Sequence, residues 1–134
     1  MNNSNKIGVL LAQLGTPTAP TAKALRPYLR QFLSDPRVVD VHPIKWYPIL
    51  YGIVLTFRPK RSAALYKNIW TEAGSPLMVH SRAQEKALGK KLGSNYEVIL
   101  GMQYGDPSIS NVFKIFESKG IDRILVFPMY PQFS

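Results

Sequence analysis

Three short segments of the sequence combine residue types that could bind a small ligand: residues 13–17 (QLGTP), 103–107 (QYGDP) and 130–134 (YPQFS). Each brings amide, hydroxyl or aromatic groups together with glycine or proline. Glycine lets a ligand approach the backbone closely, and proline stiffens the loop that holds it. Each segment follows a strand-like run, so together they could form one binding site. The alternative is that any α/β protein carries such loops at its strand ends.

Several other chemistries have little support in the residues. The chain has no cysteine, which excludes disulfides, thiolate metal sites and cysteine nucleophiles. His42 and His80 are far apart and have no acidic partner at ligand spacing, so we interpret both as ordinary loop or surface histidines. No Gly-rich dinucleotide or phosphate-binding motif is present. The tyrosines are scattered and no basic helix carries interleaved aromatics, so we expect no nucleic acid partner.

Length and charge set broad limits on the function. The 134 residues, 46% of them hydrophobic, suit one soluble α/β domain. A net charge of +9 favours an anionic partner, although a solubilising surface excess explains it equally well. The first residues show no signal-peptide pattern, and no apolar run reaches the roughly 18–20 residues of a spanning helix. We therefore predict a cytoplasmic protein, with a peripheral contact to the inner membrane left open.

The elements that must position these segments alternate between strands and helices. The predicted strands are residues 6–14, 96–102 and 123–127, and the predicted helices are residues 18–34, 60–70, 77–92 and 108–119. Thr21 is the expected N-cap of the first helix, but Pro27 suggests a later start. The alternation predicts an α/β fold, a three-layer sandwich with a parallel sheet. Ligands bind outside the carboxyl ends of such strands, where the three segments lie.

Residues 46–57 (WYPILYGIVLTF) are apolar on every side and are flanked by Lys45, Arg58, Lys60 and Arg61. They could form a buried core helix, rest on a membrane surface, or make the apolar wall of a ligand cleft. The third option suits a flat, hydrophobic ligand with carboxylates. Its ring would bury apolar surface at about 25 cal/mol per Å², and one of the cations Arg58, Lys60 or Arg61 would pair with the carboxylates. A porphyrin with propionates is such a ligand.

Eight short stretches, weak alone but specific in this order and spacing, are residues 14–17, 32–35, 37–40, 58–61, 70–72, 74–77, 104–108 and 130–134. On these stretches the chain resembles the ferrochelatases of the proteobacterial type, from Gly8 to Ser134. The resemblance implies a chelatase-like enzyme of two α/β lobes. Residues 1–134 would be the N-terminal lobe, and the C-terminal lobe would be absent. Residues 44–58, approximately, would form an apolar lip, called the apolar insert below.

The resemblance also implies a reaction and a set of binding residues. Ferrochelatases, which are lyases, insert Fe²⁺ (ferrous iron) into protoporphyrin IX to make protohaem in haem biosynthesis. Iron and porphyrin are both substrates, so no cofactor is expected. The implied porphyrin-binding residues are Gln13 and Leu14 on the macrocycle face, Arg58 at a propionate, Tyr66 and Ser75 at the mouth, and Tyr104 and Tyr130 deeper in the cleft. Gln13 stands where asparagine is commoner, and Gln103 where some members have arginine.

The family's catalytic histidine lies in a Ser-x-His-Gly-[Leu/Ile]-Pro motif, with a glutamate further on. Neither His42 nor His80 sits in such a motif, so we predict no catalytic and no metal-binding residue in this chain and no activity for it alone. Fe²⁺ would be handled by the missing half. Metallation needs a distorted ring, which a rigid wall helps to impose, and a base on the opposite side that takes the protons. This chain would supply the wall.

Two other functions remain open from the sequence. The chain could be a non-catalytic porphyrin or haem carrier, or a membrane-surface module that uses the apolar insert and its basic flanks. As half of a two-lobe enzyme it would also expose an unpaired sheet edge and a cleft wall. We therefore expect the isolated chain to aggregate readily.

Overall fold

The computed structural model describes residues 5–131. Its elements in chain order are β1 (Ile7–Gly15), α1 (Ala22–Leu33), α2 (Pro43–Ile49), a π-helical turn (Leu50–Val54), α3 (Leu55–Ile69), α4 (Pro76–Leu92), β2 (Tyr96–Tyr104), α5 (Ile109–Ser118) and β3 (Arg123–Pro128). They form two compact units. The sheet unit contains the described residues up to Gly15 and those from Leu77 onward, and the helical unit is Thr16–Pro76.

The three strands of the sheet unit are parallel and lie in the order β2-β1-β3. The central strand β1 pairs with β2 from Ile7 opposite Tyr96 to Gly15 opposite Tyr104. On its other side it pairs with β3 from Ile7 opposite Arg123 to Ala12 opposite Pro128. The predicted parallel sheet is confirmed, and all three predicted strands exist.

Both faces of the central strand β1 are covered, which explains why it is apolar at almost every position. Side chains alternate between the two faces of a strand. Val9 and Leu11 pack with residues of β2 and α4 on one face. Leu10 packs with Val112 and Phe116 of α5 on the other. A strand buried on both sides needs a continuous apolar run, so the predicted three-layer arrangement is confirmed.

Helix α1 begins as its cap residue predicts. The Thr21 side chain accepts a hydrogen bond from the Ala24 N–H at 3.2 Å. The suggestion that Pro27 delays the helix is wrong, because α1 starts at Ala22 and carries Pro27 inside it. Only the N–H of Pro27 is missing, and its partner would have been the carbonyl of Lys23 in the first turn. Pro27 lies in the second turn of α1, and the helix continues through it without that one hydrogen bond.

The apolar insert is helical throughout, as α2, the π-helical turn and the start of α3. In the π-helical turn the Leu55 N–H bonds to the Leu50 carbonyl, five residues back. One side of the segment joins the core of the helical unit, whose buried residues are Leu25, Leu29, Leu33, Leu50, Leu55 and Ala63. The Trp46 indole N–H donates to the Leu33 carbonyl at 2.8 Å and ties α2 to the end of α1. The third helix thus starts five residues before the predicted residue 60.

Candidate functional site

The carboxyl ends of the three strands lie along one edge of the sheet unit. Gly15 at the end of β1 stands opposite Tyr104 at the end of β2. Directly after β3, the Met129 N–H donates to the carbonyl of Ala12 in β1 at 2.8 Å. The three segments predicted to share an edge therefore do so, apart from residues 132–134, which lie outside the described residues.

Gly15 holds the first two segments against each other. Its φ is +128°, a backbone conformation that side-chain-bearing residues rarely adopt. A Cβ atom at this position would lie 1.8 Å from the Tyr104 carbonyl oxygen. Only glycine fits here, and the close approach brings the ends of β1 and β2 into direct backbone contact.

The side chains at this edge differ in how much surface they offer. Gln13 is 8% exposed, and its Oε1 accepts the Leu14 N–H at 3.3 Å. Tyr104 is 4% exposed, and its hydroxyl accepts a hydrogen bond from the Gln103 side-chain amide at 3.4 Å. Leu14 and Tyr130 are partly buried. A ligand that approaches this edge would meet Leu14 and Tyr130 before Gln13 or Tyr104.

The helical unit contains an open surface pocket of about 540 Å³, formed along a single helical segment. Its lining comes from the π-helical turn and α3, and consists of Ile53, Val54, Phe57, Arg58, Arg61, Ser62 and Leu65. The predicted Arg58 is therefore in a pocket with apolar walls. Lys60, which the sequence offered as an equal alternative, does not line it. Arg61 does, although the resemblance did not place it among the porphyrin-binding residues.

The apolar insert presents a large hydrophobic surface. Its exposed members are Ile44 (79%), Tyr47 (43%), Ile49 (45%), Tyr51 (47%), Ile53 (58%) and Phe57 (70%). Only Leu50 and Leu55 of this segment are fully buried. A wholly buried core helix is therefore wrong for the insert, whereas a ligand wall and a membrane surface both fit. Among residues 5–131, no helix combines the length and apolarity needed to cross a bilayer.

Two further predicted residues lie apart from the pocket lining. Tyr66 packs at the border of the helical core and makes an edge-to-face contact with Trp70, with ring centroids 6.3 Å apart. Ser75 is 3% exposed and immediately precedes α4. Neither belongs to the residues that line the Arg58 pocket. Their placement at the mouth of a cleft stays a prediction.

His42 has a structural role. Its Nδ1 accepts the Ile44 N–H at 3.4 Å and caps the start of α2, as suits a loop histidine. Within the described part of the chain, no three histidine or acidic side chains are grouped so that they could hold a metal ion.

Comparison with known proteins decides the family. The ferrochelatase family model matches residues 6–134. The chain belongs to the ferrochelatase family. It is 52% identical over 135 residues to the ferrochelatase of Idiomarina loihiensis, covering 98% of this chain and 37% of that protein. It is 53% identical over 132 residues to ferrochelatase 2 of Shewanella oneidensis, covering 96% of this chain and 40% of that protein.

A third ferrochelatase, from Proteus mirabilis, is 51% identical over 132 residues and covers 98% of this chain and 41% of its own length. The chain thus spans about two fifths of the length of these relatives. Membership of the ferrochelatase family confirms the resemblance seen in the sequence. The assignment of individual residues to the porphyrin remains a prediction. It requires side chains with accessible surface, and Arg58 is exposed while Leu14 and Tyr130 are partly buried.

Proposed function

We propose that this chain forms the porphyrin-binding wall of a ferrochelatase, a lyase of haem biosynthesis that inserts Fe²⁺ into protoporphyrin IX. The observation that carries the proposal is the family match over residues 6–134, with about half of the residues identical to curated ferrochelatases. The porphyrin and the ferrous ion are both substrates, so the proposal needs no resident cofactor. We expect the protein in the cytoplasm, a reducing compartment that a chain without cysteine suits.

The sheet unit supports this role through its carboxyl edge. Ligands of parallel α/β sheets bind outside the carboxyl ends of the strands. Here that edge carries Leu14, an apolar side chain with surface still available, and the aromatic ring of Tyr130. The backbone next to Leu14 is closely packed, because Gly15 pairs with Tyr104 and leaves no room for a side chain there. A rigid apolar edge of this kind suits the role of pressing on one face of a flat macrocycle.

The helical unit supports the role through the Arg58 pocket. A guanidinium group binds a carboxylate through two parallel hydrogen bonds. The walls around Arg58 are mainly apolar, from Ile53, Phe57 and Leu65. A propionate would pair with the arginine while neighbouring hydrocarbon of the porphyrin covers these side chains.

Metal insertion is assigned to the part of the enzyme that the relatives carry beyond this match. As Fe²⁺ enters the ring, two pyrrole N–H bonds break and two protons must leave, which requires a base. The family's histidine motif does not occur in these 134 residues. We therefore expect this chain to bind porphyrin and to leave it unmetallated.

The test is a titration of the chain with protoporphyrin IX, followed by Soret absorbance and porphyrin fluorescence. We expect a saturable one-to-one change, and no haem spectrum after anaerobic addition of Fe²⁺. Leu14→Ala should weaken binding by about fivefold or more, since about 1–2 kcal/mol of apolar contact is lost. Ile115→Ala on the exposed surface of α5 is the matched control and should bind as the wild type does. Equal effects of the two substitutions, or no saturable change, would contradict the proposal.

The exposed insert supports a second proposal, a peripheral membrane contact. Ile44 is 79% exposed on α2 and Lys45 is exposed as well, so the start of α2 offers both an apolar and a basic side chain to solvent. Such a surface lies in the headgroup region of anionic bilayers. We expect the chain to float with vesicles that contain phosphatidylglycerol, without porphyrin, and to float less with neutral vesicles. Ile44→Ser should reduce flotation and Ile115→Ser should not. Flotation that neither substitution alters would rule out this surface.

A further inference from the structure

We propose that Glu85 closes the outer edge of β2 to strand pairing, so that the sheet unit binds a second copy of this chain only through β3. This interaction surface goes beyond the proposed function, because it involves neither porphyrin nor iron. The two outer strands of the sheet, β2 and β3, differ in how the backbone groups at their outer edges are protected.

Outward N–H groups in the middle of β2 have partners inside the same unit. Because β2 is an outer strand, every second N–H points away from β1 and could pair with another strand. The Leu100 N–H instead donates to the Glu85 carboxylate of α4. The Met102 N–H donates to the Pro107 carbonyl at 2.6 Å. A side chain and a loop therefore occupy two consecutive outward positions of the strand.

Glu85 is held in place for this role. Its two carboxylate oxygens accept hydrogen bonds from the Arg82 guanidinium, one turn earlier on α4, at 3.0 and 3.2 Å. Its side chain is only 20% exposed, which limits competition from water. A buried N–H that loses its acceptor costs about 1–3 kcal/mol. Loss of the Glu85 carboxylate would leave the Leu100 N–H without a partner, and a strand of another chain could supply the missing carbonyl.

The outer edge of β3 lacks the residue types that usually protect an exposed strand. Residues 124–127 include no charged side chain, whereas charges commonly keep an outer edge from pairing. Leu125, Val126 and Phe127 are about half exposed, at 55%, 49% and 52%. An apolar, uncharged and exposed outer strand favours pairing with another strand, so β3 is the edge through which we expect the sheet to extend.

A second copy of the chain is a partner that matches β3 in charge and direction. Two β3 strands related by a twofold axis run antiparallel and offer each other the same backbone groups. Arg123 and Pro128 are the two ends of β3, so each Arg123 would lie opposite the uncharged end of the partner strand. The two positive charges would then be about 17 Å apart, at about 3.3 Å per residue. Pairing at one edge stops at a dimer, whereas two open edges would allow further chains to add.

The experiment measures the mass of the chain and its variants by multi-angle light scattering over a range of concentrations. For the wild type we expect an equilibrium between monomer and dimer. Glu85→Ala opens a second edge and should give masses above the dimer that rise with concentration. Glu85→Gln keeps an acceptor oxygen and should behave as the wild type does. Glu117→Ala removes the same charge from the exposed surface of α5 and should not exceed the dimer.

A double variant separates the two edges. Val126→Lys adds a charge to β3 and should give a monomer, whereas Glu85→Ala combined with Val126→Lys leaves only β2 open and should form a dimer. Wild-type masses for Glu85→Ala, or an equal rise for Glu117→Ala, would overturn the role of Glu85. A wild type larger than a dimer, or dimers of Val126→Lys alone, would overturn pairing through β3. Each variant should keep the far-UV circular dichroism of the wild type, which shows that its mass does not come from unfolding.

Discussion

Replacement of Gly15 by alanine tests whether the rigid edge of the sheet unit depends on the close approach of two strand ends. Gly15 has a φ of +128°, and an added Cβ would stand 1.8 Å from the Tyr104 carbonyl oxygen. That atom belongs to the backbone of β2, which cannot turn aside as a flexible side chain could. Gly15→Ala must therefore either change the backbone of Gly15 or separate the ends of β1 and β2.

The expected cost has two parts. Forcing a side-chain-bearing residue into a sparsely populated backbone conformation costs about 1–3 kcal/mol. The contact adds to this, because relief of it disrupts the pairing of Gly15 with Tyr104. We expect a total loss of roughly 3 kcal/mol or more in the free energy of unfolding, a large share of the 5–15 kcal/mol that typical domains possess. Protoporphyrin binding should weaken as well, because Leu14 is the neighbouring residue.

Gly93 provides the matched control. Its φ is +80°, and a Cβ there would meet no atom within 4 Å. Gly93→Ala should thus cost only the backbone strain, about 1 kcal/mol. Urea unfolding of wild type and both variants, followed by circular dichroism, gives the two losses on one scale. If Gly15→Ala costs no more than Gly93→Ala, the two strand ends are not held together by close packing and the reasoning is refuted.

Two further predictions concern stability and association. The pKa of Glu97 is lowered, chiefly because its carboxylate accepts a hydrogen bond from Lys119. The positive charges of Lys119 and Lys6 lower it further, whereas burial of the carboxylate opposes the shift. The ionised Glu97 therefore makes its full contribution to the free energy of unfolding above its ordinary pKa of about 4.5. That contribution is lost as the pH falls through the lowered pKa of the folded state. Urea unfolding across the acid range should show a shallower pH dependence for Glu97→Gln, and an unchanged slope would contradict this. In β3, the exposed edge residues Val126 (49%) and Phe127 (52%) should drive self-association. Val126→Lys should lower the mass found by light scattering at high concentration, and an unchanged mass would refute the edge as its cause.

The strands could be predicted because burial of a strand requires apolar residues, and these form a run that is visible in the sequence. β1 is buried on both faces and therefore needs an unbroken apolar run, as Val9, Leu10 and Leu11 show. Helices α4 and α5 end at or next to their predicted last residues, 92 and 119, because Gly93 and Gly120 follow them and both adopt positive φ. The shared edge of the strand ends then followed from the parallel arrangement alone.

The burial of individual site residues could not be predicted in the same way. Ser75 and Tyr104 have the residue types of ligand-binding positions, yet they are 3% and 4% exposed. Their enclosure depends on contacts made by distant parts of the chain. Such contacts leave no local pattern in the sequence. Residue type and position relative to a strand end were therefore sufficient to place Tyr104 at the edge, and insufficient to say that its ring is covered.

The apolar insert shows why its pocket could not be assigned from helical periodicity. Successive residues of an α-helix are about 100° apart, so residues five apart point about 140° away from each other. Leu50 and Leu55 are five apart, yet both are buried in the same cluster. The π-helical turn makes this possible, because its wider hydrogen bond takes in one more residue per turn. Beyond it the buried positions continue at intervals of four, through Pro59 and Ala63.

The same turn decides which cations face the pocket. A continuous α-helix with Leu50 in the core would bury Val54 next and would rotate every later residue by about 100° relative to that core. In the observed helix Leu55 takes the core position, and the pocket lies on the face that carries Phe57, Arg58 and Arg61. The choice between Arg61 and Lys60 is therefore a consequence of one extra residue in one turn. An inventory of charges near an apolar run cannot make that choice, because the choice depends on the helical phase that the core residues impose.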